Sequence, residues 1–125
     1  MSTTTRKSRV KLTATNKVAV SISQRETENL KVFLEQAQGI MEENMPRGIL
    51  NTEKAKSMVF IDAINSVYRK HFTKLSLPEQ KNKMTLSIGQ SACIWIFFNR
   101  ISQHHESDLI ESLRGLMEDI HQKLS

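Results

Sequence analysis

The segment Lys17-Val18-Ala19-Val20-Ser21-Ile22-Ser23 constrains the fold more than any other stretch. Val18, Val20 and Ile22 alternate with Lys17, Ala19, Ser21 and Ser23, which are small or polar. A period of two is the pattern of a strand with one buried and one solvated face. A strand standing alone would leave a row of backbone N–H and C=O groups unpaired. No other stretch reads as its partner, so the expected partner is the same strand of a second copy, in a two-stranded ribbon across a dimer.

Composition supports association. The chain has 125 residues and a hydrophobic fraction of 38%, which gives a monomer a thin core. The net charge is +5, and its placement matters more than its size. Arg6, Lys7, Arg9, Lys11 and Lys17 are the only charged residues in the first 24 positions. Without them the chain holds equal numbers of cations and anions. The excess charge therefore sits on a basic arm, residues 1–16, and on the strand that follows, an arrangement suited to phosphate contact. The arm has few apolar residues and is expected to be disordered without a ligand. With no signal-peptide core and no run of membrane-spanning length, the expectation is a cytoplasmic protein with no membrane span.

Helices should follow the strand. Ser23-Gln24-Arg25-Glu26 forms a capping box, so the strand turns directly into a helix carrying Leu30, Phe33, Leu34, Ala37 and Met41 on one face. Pro46 and Gly48 end it. Asn51 or Thr52 can cap a second helix bearing Met58, Ile61, Ile64, Tyr68 and Phe72. Residues 74–83 read as a linker. A third helix is expected from about Thr85 to Ile101, with an apolar centre at 92–98 that signals enclosure by protein. A last helix, about 107–124, carries Leu109, Leu113, Leu116, Ile120 and Leu124 as a packing seam, with Ile110 and Met117 beside it.

Enzymatic chemistry finds little footing. His104 and His105 are adjacent and diverge on a helix, while His71 and His121 are remote in sequence, so no metal site and no cofactor are expected. Cys93 lies in an apolar run and reads as a small buried hydrophobe. There is no glycine-rich phosphate loop. The acidic residues are scattered and read as solvating charge. At the start of the second helix, Thr52, Lys54, Lys56 and Ser57 could bind a phosphate together with the free N–H groups there.

The order of strand, capped helix, glycine-containing turn and second helix resembles the ribbon-helix-helix DNA-binding family over residues 17–73. The resemblance implies a mostly α protein that pairs one short strand across a dimer. It implies that Lys17, Ala19 and Ser21 face base edges of duplex DNA, and that the second helix grips phosphate around Thr52–Ser57. The whole chain is similar to the TraM-like relaxosome accessory proteins of conjugative plasmids. The shared features are the Lys-Val-x-Val-x-Ile-Ser strand, a Ser57-Met58 start to an apolar helix, a Gln90-Ser91 pair before the third helix's apolar centre, and an amphipathic closing helix. That similarity implies a C-terminal helical bundle, residues 84–125, that makes a homo-oligomer, most simply a tetramer. It also implies DNA sites near an origin of transfer, autoregulation of the operon, and a relaxase or coupling protein as partner. The chain departs from these proteins in its basic extension before the strand and in ending His121-Gln122-Lys123-Leu124-Ser125 without an acidic tail.

The leading expectation is thus a homo-oligomeric, sequence-specific DNA-binding protein without catalytic activity. Its phosphate contacts would come from Arg6, Lys7, Arg9 and Lys11 of the arm and from Thr52, Lys54, Lys56 and Ser57. Its oligomer core would comprise Val18, Val20, Ile22, Ile94, Trp95, Phe97, Phe98, Leu109, Leu113, Leu116 and Ile120. A ribbon-helix-helix repressor or antitoxin is the first alternative. An all-helical protein-interaction factor of the phage-inhibitor type, with no DNA binding, is the second.

Overall fold

A computed structural model describes residues 9–72, 82–104 and 107–125. Two strands, β1 (Val10–Leu12) and β2 (Lys17–Ile22), precede the helices α1 (Gln24–Glu43) and α2 (Thr52–His71). A third strand, β3 (Asn82–Ser87), leads into α3 (Ile88–His104) and α4 (Asp108–Leu124). The described residues are mostly helical, with one small antiparallel sheet in the order β1-β2-β3.

β2 is the central strand, which corrects the expectation of a lone strand. Val10 to Leu12 pair with Val20 to Val18 on one edge, and Lys17 to Ile22 pair with Ser87 to Asn82 on the other. Both rows of backbone groups are satisfied within one chain, so β2 has no free edge to offer a second copy. Two strands, β1 and β3, flank β2 where the sequence pattern predicts none. Val10–Leu12 was read as part of a disordered arm, yet Val10 is completely buried and anchors the strand. Burying a valine is worth about 1.5–3 kcal/mol, and the ladder to β2 adds to it against the entropy of ordering the segment. The connection back to β2 is tight. The Thr13 N–H donates to the Lys17 carbonyl at 2.8 Å, and Asn16 takes a left-handed φ of 58°. Asparagine tolerates that conformation well. The second missed strand begins inside the expected linker, whose residues 74–81 lie outside the described residues. Met84 and Leu86 point inward and Thr85 and Ser87 outward, so the helix expected from Thr85 starts instead at Ile88.

The four helices neighbour one another in a ring. α1 packs on α2 and α4, and α3 packs on the same two. Phe33 of α1 reaches across to Phe97 and Phe98 of α3, with ring centroids 6.1 and 5.8 Å away. α1 and α2 run antiparallel, since Gln38 Nε2 donates to Asn65 Oδ1 at 2.6 Å while Asn44 and Ser57 line one cavity. α1 and α3 start at the sheet. α2 returns to it, where His71 Nε2 donates to the Thr85 carbonyl at 3.2 Å. α4 returns to it through Asp119, which accepts from the Arg9 N–H.

A single core runs from Val10 to Ile120. Val18, Val20, Ile22, Ile94, Phe97, Phe98, Leu113, Leu116 and Ile120 are buried in it, with Trp95 and Leu109 half-buried at its margin. These residues, expected to meet a second copy, are covered by their own chain. Residues 84–125 do not form a separate bundle: they contribute a strand to the common sheet and two helices to the common core.

The two halves repeat one plan. Ser23 Oγ accepts from the Glu26 N–H, and Glu26 returns a bond to the Ser23 N–H. In the second half Ser87 Oγ accepts from the Gln90 N–H, and Gln90 accepts from the Ser87 N–H. The hydroxyl after each box donates back to the capping carbonyl, Thr27 to Ser23 and Ser91 to Ser87. Ser87 lies 64 residues after Ser23. The same shift relates Leu30 to Ile94, Phe33 to Phe97 and Leu34 to Phe98, all buried. It also relates Val20 to Met84, which pair with each other across the β2–β3 ladder. An approximate two-fold axis therefore passes through the Val20–Met84 pair and exchanges the two β-α-α units.

Candidate nucleic-acid interface

The inward side chains of the sheet, Val10, Val18, Val20, Ile22, Met84 and Leu86, rest on the helices. Alternation turns the others to solvent. Lys11, Lys17, Lys83, Thr85 and Ser87 are exposed there, and Ala19 and Ser21 are half-buried. Lys11 stands opposite Ala19, Ala19 opposite Thr85, Ser21 opposite Lys83, and Lys17 opposite Ser87. This surface carries three cations, small side chains and hydroxyls, and no acidic residue. Small side chains allow close approach of a ligand, while lysines reach about it to acceptors.

Of the residues singled out from the sequence, Lys17, Ala19, Ser21 and Lys11 come together on this face. Lys83, Thr85 and Ser87 join them and were missed, because the strand that carries them had been read as linker and helix. A signal was present: the pattern Ser-x-x-Glu-Thr-x-x-Leu-x-x-Phe-Leu at Ser23–Leu34 recurs as Ser-x-x-Gln-Ser-x-x-Ile-x-x-Phe-Phe at Ser87–Phe98. Such a repeat implies that what precedes Ser87 does the work of what precedes Ser23.

Other assignments change. Arg6 and Lys7 lie outside the described residues. Arg9 is not a free phosphate ligand: its Nε lies 3.2 Å from Glu26 Oε2, and its Nη1 lies 3.9 Å from Asp119 Oδ2. It ties the start of β1 to α1 and α4. Asp119, read as solvating charge, is buried for this purpose. The start of α2 is also not a clamp beside the ribbon. A 20-residue helix is about 30 Å long, and its other end touches β3. Thr52, Lys54, Lys56 and Ser57 are therefore about one helix length from that edge. Lys54 Nζ donates to the Gly48 carbonyl at 2.7 Å, and Lys56 lies 3.7 Å from Glu53. Ser57 lines a cavity of about 410 Å³ with Met41, Phe60, Phe97 and Arg100, whose guanidinium lies 5.9 Å from the Phe60 ring centroid.

Among the described residues two titratable groups have shifted affinities for protons. Burial pulls the His71 imidazole below its usual value; the Thr85 carbonyl opposes this shift and Lys70 adds to it. Cys93 is half-buried, and burial pushes its thiol up, away from reactivity. Among the described residues no group of three His, Cys, Asp or Glu side chains is placed to hold a metal ion. No described helix is long and apolar enough to cross a membrane. Comparison with family models, curated proteins and solved structures gives no match.

Proposed function

We propose that the chain is a sequence-specific duplex DNA-binding protein without catalytic activity, and that it reads the major groove with the solvent face of its sheet. The observation that carries this reading is that face: seven outward residues on three paired strands, three of them lysine and none acidic. A strand of six residues spans about 20 Å, and a β-ribbon fits a major groove about 12 Å wide. The reading keeps the ribbon of the ribbon-helix-helix family and replaces its second copy by the second half of the same chain. Lys11, Lys17 and Lys83 supply affinity through phosphates or guanine edges; Ser21 and Thr85 supply hydrogen bonds; Ala19 admits a thymine methyl. The favoured setting is accessory binding near an origin of transfer with control of the neighbouring operon, and plain repression is the alternative.

The test is binding of a fluorescent duplex by the full chain at several salt concentrations, beside the Lys11→Ala/Lys17→Ala/Lys83→Ala variant. If all three lysines meet phosphates, the variant's slope of log K against log salt flattens by about 2.7, from roughly 0.9 per contact. A folded variant with an unchanged slope would move the interface elsewhere. A parent that binds no duplex even at low salt would end the DNA reading. In that case a protein partner becomes the better reading, supported by the exposed Ile49 and Leu50 before α2 and Met58 and Val59 in its early turns.

A further inference from the structure

The two-fold axis through Val20 and Met84 holds for the core helices, and on the solvent face it is broken at one matched pair, Ala19 and Lys83. The shift of 64 residues that matches Phe33 to Phe97 places Ala19 in the position of Lys83, and Ser21 in that of Thr85. The axis therefore exchanges the pair Ser21–Lys83 with the pair Thr85–Ala19. On one side of the axis a cation and a hydroxyl face outward. On the other stand a methyl and a hydroxyl, Ala19 and Thr85, with the Lys17–Ser87 pair beyond them. β1 adds a further asymmetry. It lies along the outer edge of β2 and brings Lys11 beside Ala19, whereas the outer edge of β3 is met by His71. A dimer of identical strands presents the same side chains to both halves of its site and so reads a palindrome. The two sides of this sheet differ at Ala19 and Lys83 and in the β1 edge.

We infer that one chain occupies one duplex site and that the site is not self-complementary. This rests on the DNA reading above. Lys83 is set to donate to the O6 and N7 acceptors of a guanine in one half of the site, with Ser21 beside it. Ala19 is set against a thymine methyl in the other half, with Thr85 donating or accepting next to it. The preferences in the two halves are then separable, because each is carried by a different pair of side chains.

The experiment selects bound fragments from a randomised duplex library with the full chain, then measures chain-to-DNA stoichiometry on the selected duplex by native mass spectrometry. The expected result is a motif without internal two-fold symmetry and a 1:1 complex. Lys83→Ala should reduce preference in one half alone, by roughly 5- to 150-fold against the substituted base. Ala19→Lys, which makes the two sides more alike, should shift selection toward a palindrome. Lys83 is exposed and Ala19 half-buried on the outward face, and circular dichroism would confirm that each variant keeps its fold. A palindromic motif bound by two chains would overturn the inference and leave DNA binding standing. Loss of preference in both halves on Lys83→Ala would also overturn it. Failure to select any motif, with no duplex binding at low salt, would remove both the DNA reading and this inference.

Discussion

In the first β-α-α unit Ser23 caps α1, and Phe33 lies fully buried against Phe97 and Phe98. In the second, Ser87 caps the start of α3, and Phe97 and Phe98 occupy the positions of Phe33 and Leu34. Where the units face each other their residues match in kind. On the outward face of the sheet the hydroxyls Ser21 and Thr85 still match, while Ala19 and Lys83 differ. The helix that closes the second unit, α4, buries its apolar stripe, while α2 leaves Met58 and Val59 exposed, and the loop before it leaves Ile49 90% exposed. The contrast shows which constraints hold the repeat in place. The shared sheet and core demand complementary shapes about one axis, so capping boxes and core aromatics persist in register. The solvent face is under no such demand, and there Ala19 takes the position that Lys83 holds in the second unit.

The largest effect is expected at the ladder both units share. Val20→Pro removes a backbone donor and a buried side chain from the central strand. Because both halves share that sheet, loss of helical circular dichroism is expected over the whole chain. Retention of a folded α3–α4 pair would mean that the second unit stands alone.

Next in size are the matched aromatics. Phe33→Ala and Phe97→Ala should each destabilise the fold by about 3–5 kcal/mol in urea titration, with Phe33 at the higher end because it is wholly enclosed. A cost under 1 kcal/mol for either would show that its unit is not packed as described. The caps are smaller. Ser23→Ala and Ser87→Ala should cost about 1 kcal/mol each, and near-equality is the point of measuring both. A neutral Ser87→Ala would make the second capping box an accident of spacing.

The least effect, and the one that separates the two outer edges of the sheet, is pH dependence at His71. Its pKa is lowered in the fold, so the unfolded chain takes up the proton first as pH falls. The stability tied to the neutral ring is thus complete above the ordinary histidine value of about 6.5 and declines below it. His71→Gln can still donate to the Thr85 carbonyl and should flatten stability between about pH 7 and 5. An unaltered profile would place the acid sensitivity elsewhere.

Much of this was legible in the sequence, for identifiable reasons. Strand β2, the Ser23 capping box, Asn51 as the second cap and the apolar stripe of α4 each follow from a local pattern that fixes its own structure. The partners of β2 did not announce themselves. β1 is three residues long with one buried side chain, and the alternation of β3 covers only Met84 to Ser87 before merging into an apolar helix. Their strand character comes from pairing with β2 and not from propensity, the weaker signal in short segments. Missing them made β2 look solitary and turned an intramolecular core into an intermolecular one. Arg9 and Asp119 failed differently. Their contact joins residues 110 positions apart, and no local pattern foretells it.

The central claim is that the strand facing β2 belongs to the same chain, with Val20 opposite Met84. Isotope-filtered nuclear Overhauser measurements on an equimolar mixture of labelled and unlabelled chains test it directly. Strong contacts between the Val20 and Met84 backbones are expected within the labelled chain, and none between labelled and unlabelled chains. Intermolecular contacts between Val20 and Met84, or between Val20 and Val20, would contradict it.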